Sequence, residues 1–293
     1  MSNIYKDSVE LYPNIIVYKN LFKDANKNYE TLKESTEGNP DRFFNYWSQW
    51  SRFGEYLNPT LLDLDIKVEF INDVDVSTEK ENNQKTVLVE LINNFNFAIK
   101  DYISRTGVNV DFNETVVDTD GYVVPRWKMY GPSIVKYHDY SKVDPDTPLA
   151  MSYHSDYIRE PITSPGYKFA ITVLTYFNDD YDGGEIDFAI GKELYMYKPE
   201  LGDIIVFPSG HPDILRKDGD VYLHGVLPAK NGHKYLSRMY LVRYEEGHPE
   251  WFENEKKFGK DIWASMQDDI MEQFRQKYPN KNAVRDGIRI KWI

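Results

Sequence analysis

The sequence predicts an α+β fold built on a β-sandwich or jelly-roll core, and three observations carry that reading. From about residue 125 to 245 the chain breaks into short runs rich in β-branched and aromatic residues. Turn chemistry separates these runs: Asp182-Gly183-Gly184, Pro199-Glu200-Leu201-Gly202, Pro208-Ser209-Gly210 and Lys230-Asn231-Gly232. Helical periodicity is confined to the flanks, so strands and helices do not alternate as a parallel α/β sheet requires.

Taken in order, residues 14–20 read as a strand and about 23–35 as a polar helix. The stretch 73–85 is polar and charged and reads as an exposed connection. Residues 86–105 form the best helix. Leu88, Leu91, Ile92, Phe95, Ile99, Tyr102 and Ile103 fall at helical spacing, and Gly107 is a stop signal. The core strands are expected at 133–137, 167–177, 185–189, 193–197, 203–207, 221–226 and 234–243. Ile262, Met266, Ile270, Phe274 and Tyr278 share one face of a further helix that ends at Pro279. These elements make one domain: N-terminal helix-and-strand support over 1–124, the core over 125–245 and a C-terminal helical extension over 246–293.

Composition narrows the function classes. Lys plus Arg is 35 against 47 Asp plus Glu, a net charge of −12. Such a surface repels phosphate backbones and disfavours a nucleic-acid partner. The chain has no Cys, which excludes disulfides, thiolate metal sites and Cys nucleophiles, and fits a reducing compartment. The opening Met1–Glu10 is polar and the apolar run at 15–18 is too short for a secretory signal. No apolar run reaches the length of about 18 residues that a membrane span needs. The expectation is a cytoplasmic protein with no membrane contact; composition leaves its oligomeric state open.

One constellation points to chemistry. His154-Ser155-Asp156 is followed 70 positions later by His224. Two imidazoles and one carboxylate in this order are a ligand set that holds a ferrous ion on one face and leaves the other open. Donor type alone suits iron, manganese or zinc. A His-x-acid triplet is weak by itself: with 6 His and 47 acidic residues in 293 positions, chance supplies about one. The chain has three, the others being His211-x-Asp213 and His248-x-Glu250. Those two histidines are each followed by Pro, which suits loops. His154 and Asp156 have no intervening Pro, and in a strand residues i and i+2 share a face.

The order of motifs around this triplet raises its weight. It runs His154-Ser155-Asp156, then Thr172 to Asn178, Gly183-Gly184-Glu185, Gly202-Asp203 with Phe207, and His224-Gly225-Val226-Leu227-Pro228 with Gly232 and Lys234. Over about 130–245 the chain resembles the 2-oxoglutarate and Fe(II)-dependent dioxygenases, in their prolyl 4-hydroxylase-like branch. Pro13 to Tyr18 is similar to the usual start of that branch. The resemblance implies a double-stranded β-helix (jelly roll) core with flanking N-terminal and C-terminal helices. It implies Fe(II) on His154, Asp156 and His224, with 2-oxoglutarate as cosubstrate, O2 as oxidant and ascorbate as an accessory reductant.

It also implies a cation for the distal carboxylate of the keto acid. Lys234, ten residues after His224, matches that position; Arg238 matches the one used by other branches. Both lie on one strand face, so parity does not separate them, and the Gly232-x-Lys234-Tyr235 pattern favours Lys234. A solvated lysine at a strand end is the commoner fate of this residue type. Tyr176 matches a family tyrosine that reaches the same carboxylate, and Tyr137 is placed to line the pocket; either also reads as an ordinary core aromatic. The carboxylate of Asp156 favours hydroxylation, because halogenating relatives carry a small residue there. The implied substrate is a prolyl or related amino-acid residue in a peptide or protein. A free amino acid or small metabolite, a nucleic acid and a non-catalytic jelly-roll binding module are the alternatives. The segment 139–150 reads as a lid or as a plain surface insertion, and the loop 158–166, with Arg159, borders the mouth.

Overall fold

The computed structural model describes residues 5, 7–34, 48–51, 54–57, 76–118, 120–156, 166–190, 193–210 and 222–245, and the backbone of 272, 276, 283–286 and 289–292. The N-terminal part contains β1 (Ser8–Tyr12), β2 (Ile15–Tyr18), α1 (Ala25–Glu34), β3 (Ser48–Ser51), β4 (Gly54–Leu57) and the long helix α2 (Glu79–Thr106). A small hairpin, β5 (Thr115–Val117) and β6 (Val123–Pro125), leads into β7 (Trp127–Tyr137), the short helix α3 (Tyr140–Val143) and β8 (Met151–His154). Then follow β9 (Tyr167–Tyr176), β10 (Asp182–Gly183), β11 (Ile186–Ile190), β12 (Glu193–Tyr197) and β13 (Ile204–Pro208). The core closes with β14 (Leu223–Val226), β15 (Ala229–Lys230) and β16 (Lys234–Tyr244).

Two antiparallel sheets dominate. The larger has the order β1-β2-β13-β9-β16-β7-β4-β3, and the smaller β12-β11-β14-β8. One apolar cluster fills the space between them: Val17, Val135, Leu174, Ile205, Phe207 and Leu236 of the large sheet meet Ile186, Phe188, Ile190 and Val226 of the small one. A second cluster lies on the opposite side of the large sheet. There Ile16, Ile171, Val173, Ile204, Val206 and Met239 pack on Val87, Leu88, Leu91, Ile92, Phe95 and Ile99 of α2. The large sheet is therefore buried on both faces, and β9 is buried at every position. This is why 167–176 reads as a near-continuous apolar run instead of an alternating one.

Several boundaries differ from expectation. The helix expected from residue 86 begins at Glu79, so most of the connection expected over 73–85 that is described is helical. Capping decides this. Thr78 Oγ1 accepts the Glu81 N–H at 3.1 Å, and the Glu81 carboxylate accepts the Ser77 N–H at 2.7 Å. The first bond satisfies an amide that the first turn would leave open and the second ties the entering chain to it, so the helix starts in polar sequence where apolar spacing gives no signal. Gly107 ends the helix in the left-handed region, φ 70°, and its N–H returns to Ile103 O. The strand expected from residue 133 starts at Trp127, and a register shift against β16 between Arg238 and Tyr240 lets it continue.

Of the helix expected around Ile262 to Tyr278, Glu272 and Gln276 are described, and both are helical and exposed; its apolar face lies outside the described residues. The extension expected to be helical over 246–293 is not helical throughout: after Pro279, where the expected helix ends, β17 (Ala283–Asp286) and β18 (Arg289–Trp292) pair as antiparallel strands. The alternation in Arg289-Ile290-Lys291-Trp292 is a period of two, which suits a strand and not a helix. Among the described residues no helix is long and apolar enough to cross a membrane.

The segment 139–150 is packed onto the core. Tyr140 is fully buried and its hydroxyl donates to Ala150 O at 3.2 Å. Asp139 Oδ1 accepts the Asn231 N–H at 3.0 Å, and Lys230 Nζ donates to Pro145 O at 3.1 Å. The insertion is thus anchored at its start, middle and end. The loop expected to border the mouth, with Arg159, lies outside the described residues.

The α2 stripe is the main support of the large sheet, so truncating it is expected to be costly. Leu91→Ala should lower the unfolding free energy by about 2–5 kcal/mol, measured by urea denaturation. A loss below about 1 kcal/mol would place Leu91 outside the core.

Candidate metal centre

His154 and His224 meet because their strands pair. In the antiparallel β8–β14 ladder they are direct cross-strand partners, so their side chains leave the same face close together. The ring centroids are 4.4 Å apart. Phe207 of the large sheet packs edge-on against His224 at 4.8 Å, and Phe188 adds a third contact at 6.0 Å. His224 Nδ1 lies 3.4 Å from Tyr222 O. A carbonyl only accepts, so the tautomer with the proton on Nδ1 is the one this contact would favour, and it leaves the Nε2 lone pair for a ligand bond.

Asp156 arrives differently. The expectation that His154 and Asp156 share one strand face is corrected: β8 ends at His154 and Asp156 lies beyond it. The carboxylate is buried and accepts Thr172 Oγ1 at 2.9 Å from the facing sheet. Its Oδ1 is 3.5 Å from His154 Nε2, and its Oδ2 is 3.6 Å from His224 Nε2. These spacings are long for hydrogen bonds. The three residues offer donor atoms that all lie within 4.8 Å of one another. His211 and His248, of the competing triplets, lie outside the described residues.

Lys234 and the two tyrosines also converge. Lys234 pairs with Tyr137 across β16 and β7, and Leu236 with Tyr176 across β16 and β9. Lys234 is 1% exposed, far from the solvated strand end that its residue type suggests. Its Nζ donates to Gly184 O at 2.6 Å and sits 5.2 Å from the Tyr176 ring and 5.7 Å from the Tyr137 ring. Burial, reinforced by the Lys198 ammonium and only partly offset by Glu185, pulls its pKa down to about 7. Burial also raises the Tyr176 hydroxyl well above its ordinary value, so it stays a protonated donor. Arg238 is half-buried and faces Leu174 and Ser133 in the ladders.

The Gly-Gly turn shapes this end of the sandwich. At Gly184, φ 71°, a Cβ would stand 2.5 Å from the Tyr181 ring and 3.4 Å from Lys234 Cδ. Only glycine lets the ring and the lysine stem close over the backbone. Lys198 Nζ donates to Tyr181 O and to Gly183 O on the other side of the turn. Asn178 bridges β9 to β16 by accepting the Tyr235 N–H at 2.8 Å and donating to His233 O at 2.8 Å, which fixes where β16, and so Lys234, begins.

Sequence reading missed Ser209, Lys198 and Tyr181 as neighbours of these groups, and gave Thr172 no part in holding Asp156. Pro208-Ser209-Gly210 carried a turn signal and nothing more.

With this geometry in place, comparison with known proteins adds a likeness. Solved 2-oxoglutarate oxygenases are among the structures similar to this chain. A 2-oxoglutarate complex of the viral collagen prolyl hydroxylase of Paramecium bursaria Chlorella virus-1 is 12% identical, with a TM-score of 0.43, over 78% of this chain and 96% of that one. The dioxygenase for auxin oxidation 1 of Arabidopsis thaliana, also with 2-oxoglutarate, is 14% identical, with a TM-score of 0.47, over 79% and 83%. A Pseudomonas putida prolyl-4-hydroxylase is 12% identical, with a TM-score of 0.41, over 80% and 94%. No protein-family model matches the chain, and no curated protein does. The site geometry, not these likenesses, carries the functional reading.

The depressed pKa of Lys234 makes a stability prediction. Between about 7 and its ordinary 10.5 the folded chain holds fewer protons at this group than the unfolded chain. Its contribution therefore makes unfolding free energy rise with pH across that window. Lys234→Met should flatten the rise in urea titrations taken from pH 7 to 10. An unchanged slope would mean that the ammonium is solvated.

Proposed function

We propose that the chain is an Fe(II)- and 2-oxoglutarate-dependent dioxygenase that hydroxylates an unactivated C–H bond, with a prolyl or related amino-acid residue in a peptide or protein as its substrate class. The observation that carries this reading is the coincidence, in one sandwich, of the His154–Asp156–His224 cluster with the buried ammonium of Lys234. The path of the chain supports it. Strands β7, β9, β13 and β16 of one sheet interleave in sequence with β8, β11, β12 and β14 of the other. Among the described core strands only the β11–β12 hairpin keeps two successive ones in one sheet, the path expected of a double-stranded β-helix.

In this reading His154 Nε2, an Asp156 oxygen and His224 Nε2 would hold the ferrous ion. When bound, iron and the keto acid supply the oxidative chemistry. The protein's own residues bind and orient. Lys234 meets the distal carboxylate of 2-oxoglutarate as a charge-assisted partner, and Tyr176, kept protonated by burial, donates to the same group. Tyr137 forms the wall beside them. Lys234 is favoured over Arg238 because its ammonium is held at the aromatic end between Tyr137 and Tyr176, where one bound anion can replace the Gly184 carbonyl as its partner. Asp156 fills the position that halogenating relatives leave small, so the expected product is an alcohol. The substrate class rests on the motif order in the sequence.

The test is succinate formation from 2-oxoglutarate with Fe(II) and O2 present, run against proline-containing peptides, free amino acids and oligonucleotides. Turnover with oxygen incorporated into a peptide is expected; modification of free amino acids only would displace the peptide reading. His224→Ala should reduce turnover to background. Lys234→Ala should raise the apparent KM for 2-oxoglutarate more than Arg238→Ala does, and the reverse order would assign the carboxylate to Arg238.

A further inference from the structure

Asp156 is positioned from the sheet that faces its own strand. The rotation of a carboxylate about its last bond is broad and weakly restrained, so something outside the side chain must set it. Thr172 Oγ1 donates to Asp156 Oδ2 at 2.9 Å, and Ser209 Oγ lies 2.7 Å from Thr172 Oγ1. Ser209 is itself held on both sides: its N–H donates to Ala170 O at 2.9 Å, and its carbonyl accepts Ser155 Oγ at 2.7 Å. Ser155, the residue between His154 and Asp156, thereby ties the turn after β8 to the same point. Thr172 and Ser209 are 0% and 1% exposed, so water does not compete for these bonds.

Each hydroxyl has one proton to give. Thr172 gives its proton to the carboxylate, so the short Thr172–Ser209 contact must be donated by Ser209. The direction of the chain is then fixed, from Ser209 to Thr172 to Asp156. We propose that Thr172 and Ser209 are positioning residues of the metal centre: an ordered hydroxyl pair that sets the rotation of the Asp156 carboxylate toward the two imidazoles. This rests on the reading of the triad as a metal site, and adds to it two residues that touch no metal.

The test reads metal binding instead of turnover. Co(II) is titrated into the metal-free protein and followed by its visible absorption and by calorimetry. Thr172→Val removes the hydroxyl and keeps the β-branched volume; it is expected to weaken Co(II) binding about 10–100-fold and to change the absorption band. Thr172→Ser should restore both, which a purely packing role would not allow. Ser209→Ala should weaken binding less, and adding it to Thr172→Val should cost nothing more, because Ser209 acts through Thr172. Should Thr172→Val not fold, Ser209→Ala carries the test alone, with weakened binding expected. Wild-type affinity and spectrum in folded Thr172→Val, or in Ser209→Ala where that variant stands alone, would overturn the proposal while leaving the triad intact. Failure of the wild-type protein to bind Co(II) would overturn the triad and the proposal together.

Discussion

The pairing of β8 with β14 is the constraint on which the rest depends. It sets His154 opposite His224, two residues 70 positions apart, with their rings on one side. The third member comes from a different source. Asp156 is drawn in by a hydrogen bond from Thr172 on the facing sheet, so the cluster spans the interior of the sandwich. Any change in the spacing of the two sheets would move the carboxylate relative to the imidazoles. The apolar layer between the sheets, with Phe207 and Phe188 against His224, therefore fixes the site as well as the fold.

A buried ammonium is the second demand on this architecture. Placing Lys234 at 1% exposure beside two tyrosines disfavours its charged form, as its lowered pKa records. The Gly184 carbonyl meets part of its hydrogen-bonding need. Such a group weakens the isolated fold, and an anion of the right length would relieve it. In the proposed reading that cost would be returned as binding free energy for a carboxylate.

Most of the core strands were legible because turn residues bound them. The strand expected at 193–197 is β12 itself, and those expected at 167–177 and 234–243 match β9 and β16 to within one residue. The misses share a cause. The first turns of α2 carry no apolar stripe, and only the Thr78–Glu81 cap reveals them. The start of β7 depends on a register shift opposite β16, a property of two strands together. Residues 283–292 were assigned to a helical end although their alternation already favoured strands. At the site, His154, Asp156 and His224 were named from order and spacing and Lys234 from the family resemblance; Ser209 was not named, because a serine in a turn has no signature beyond the turn.

The sequence by itself determined the residue types and their order: two imidazoles, a carboxylate, a lysine ten residues on, and strands punctuated by Gly and Pro. Those are local properties, fixed by side-chain chemistry and by backbone preferences over a few residues. The tertiary structure alone decided that Lys234 is buried instead of solvated, that Asp156 leaves its strand, and that Thr172 and Ser209 stand behind it. Each of these depends on which strand lies opposite which and on how two sheets close over one another. Such long-range contacts are set by the packing of the whole core, and no short window of sequence contains them.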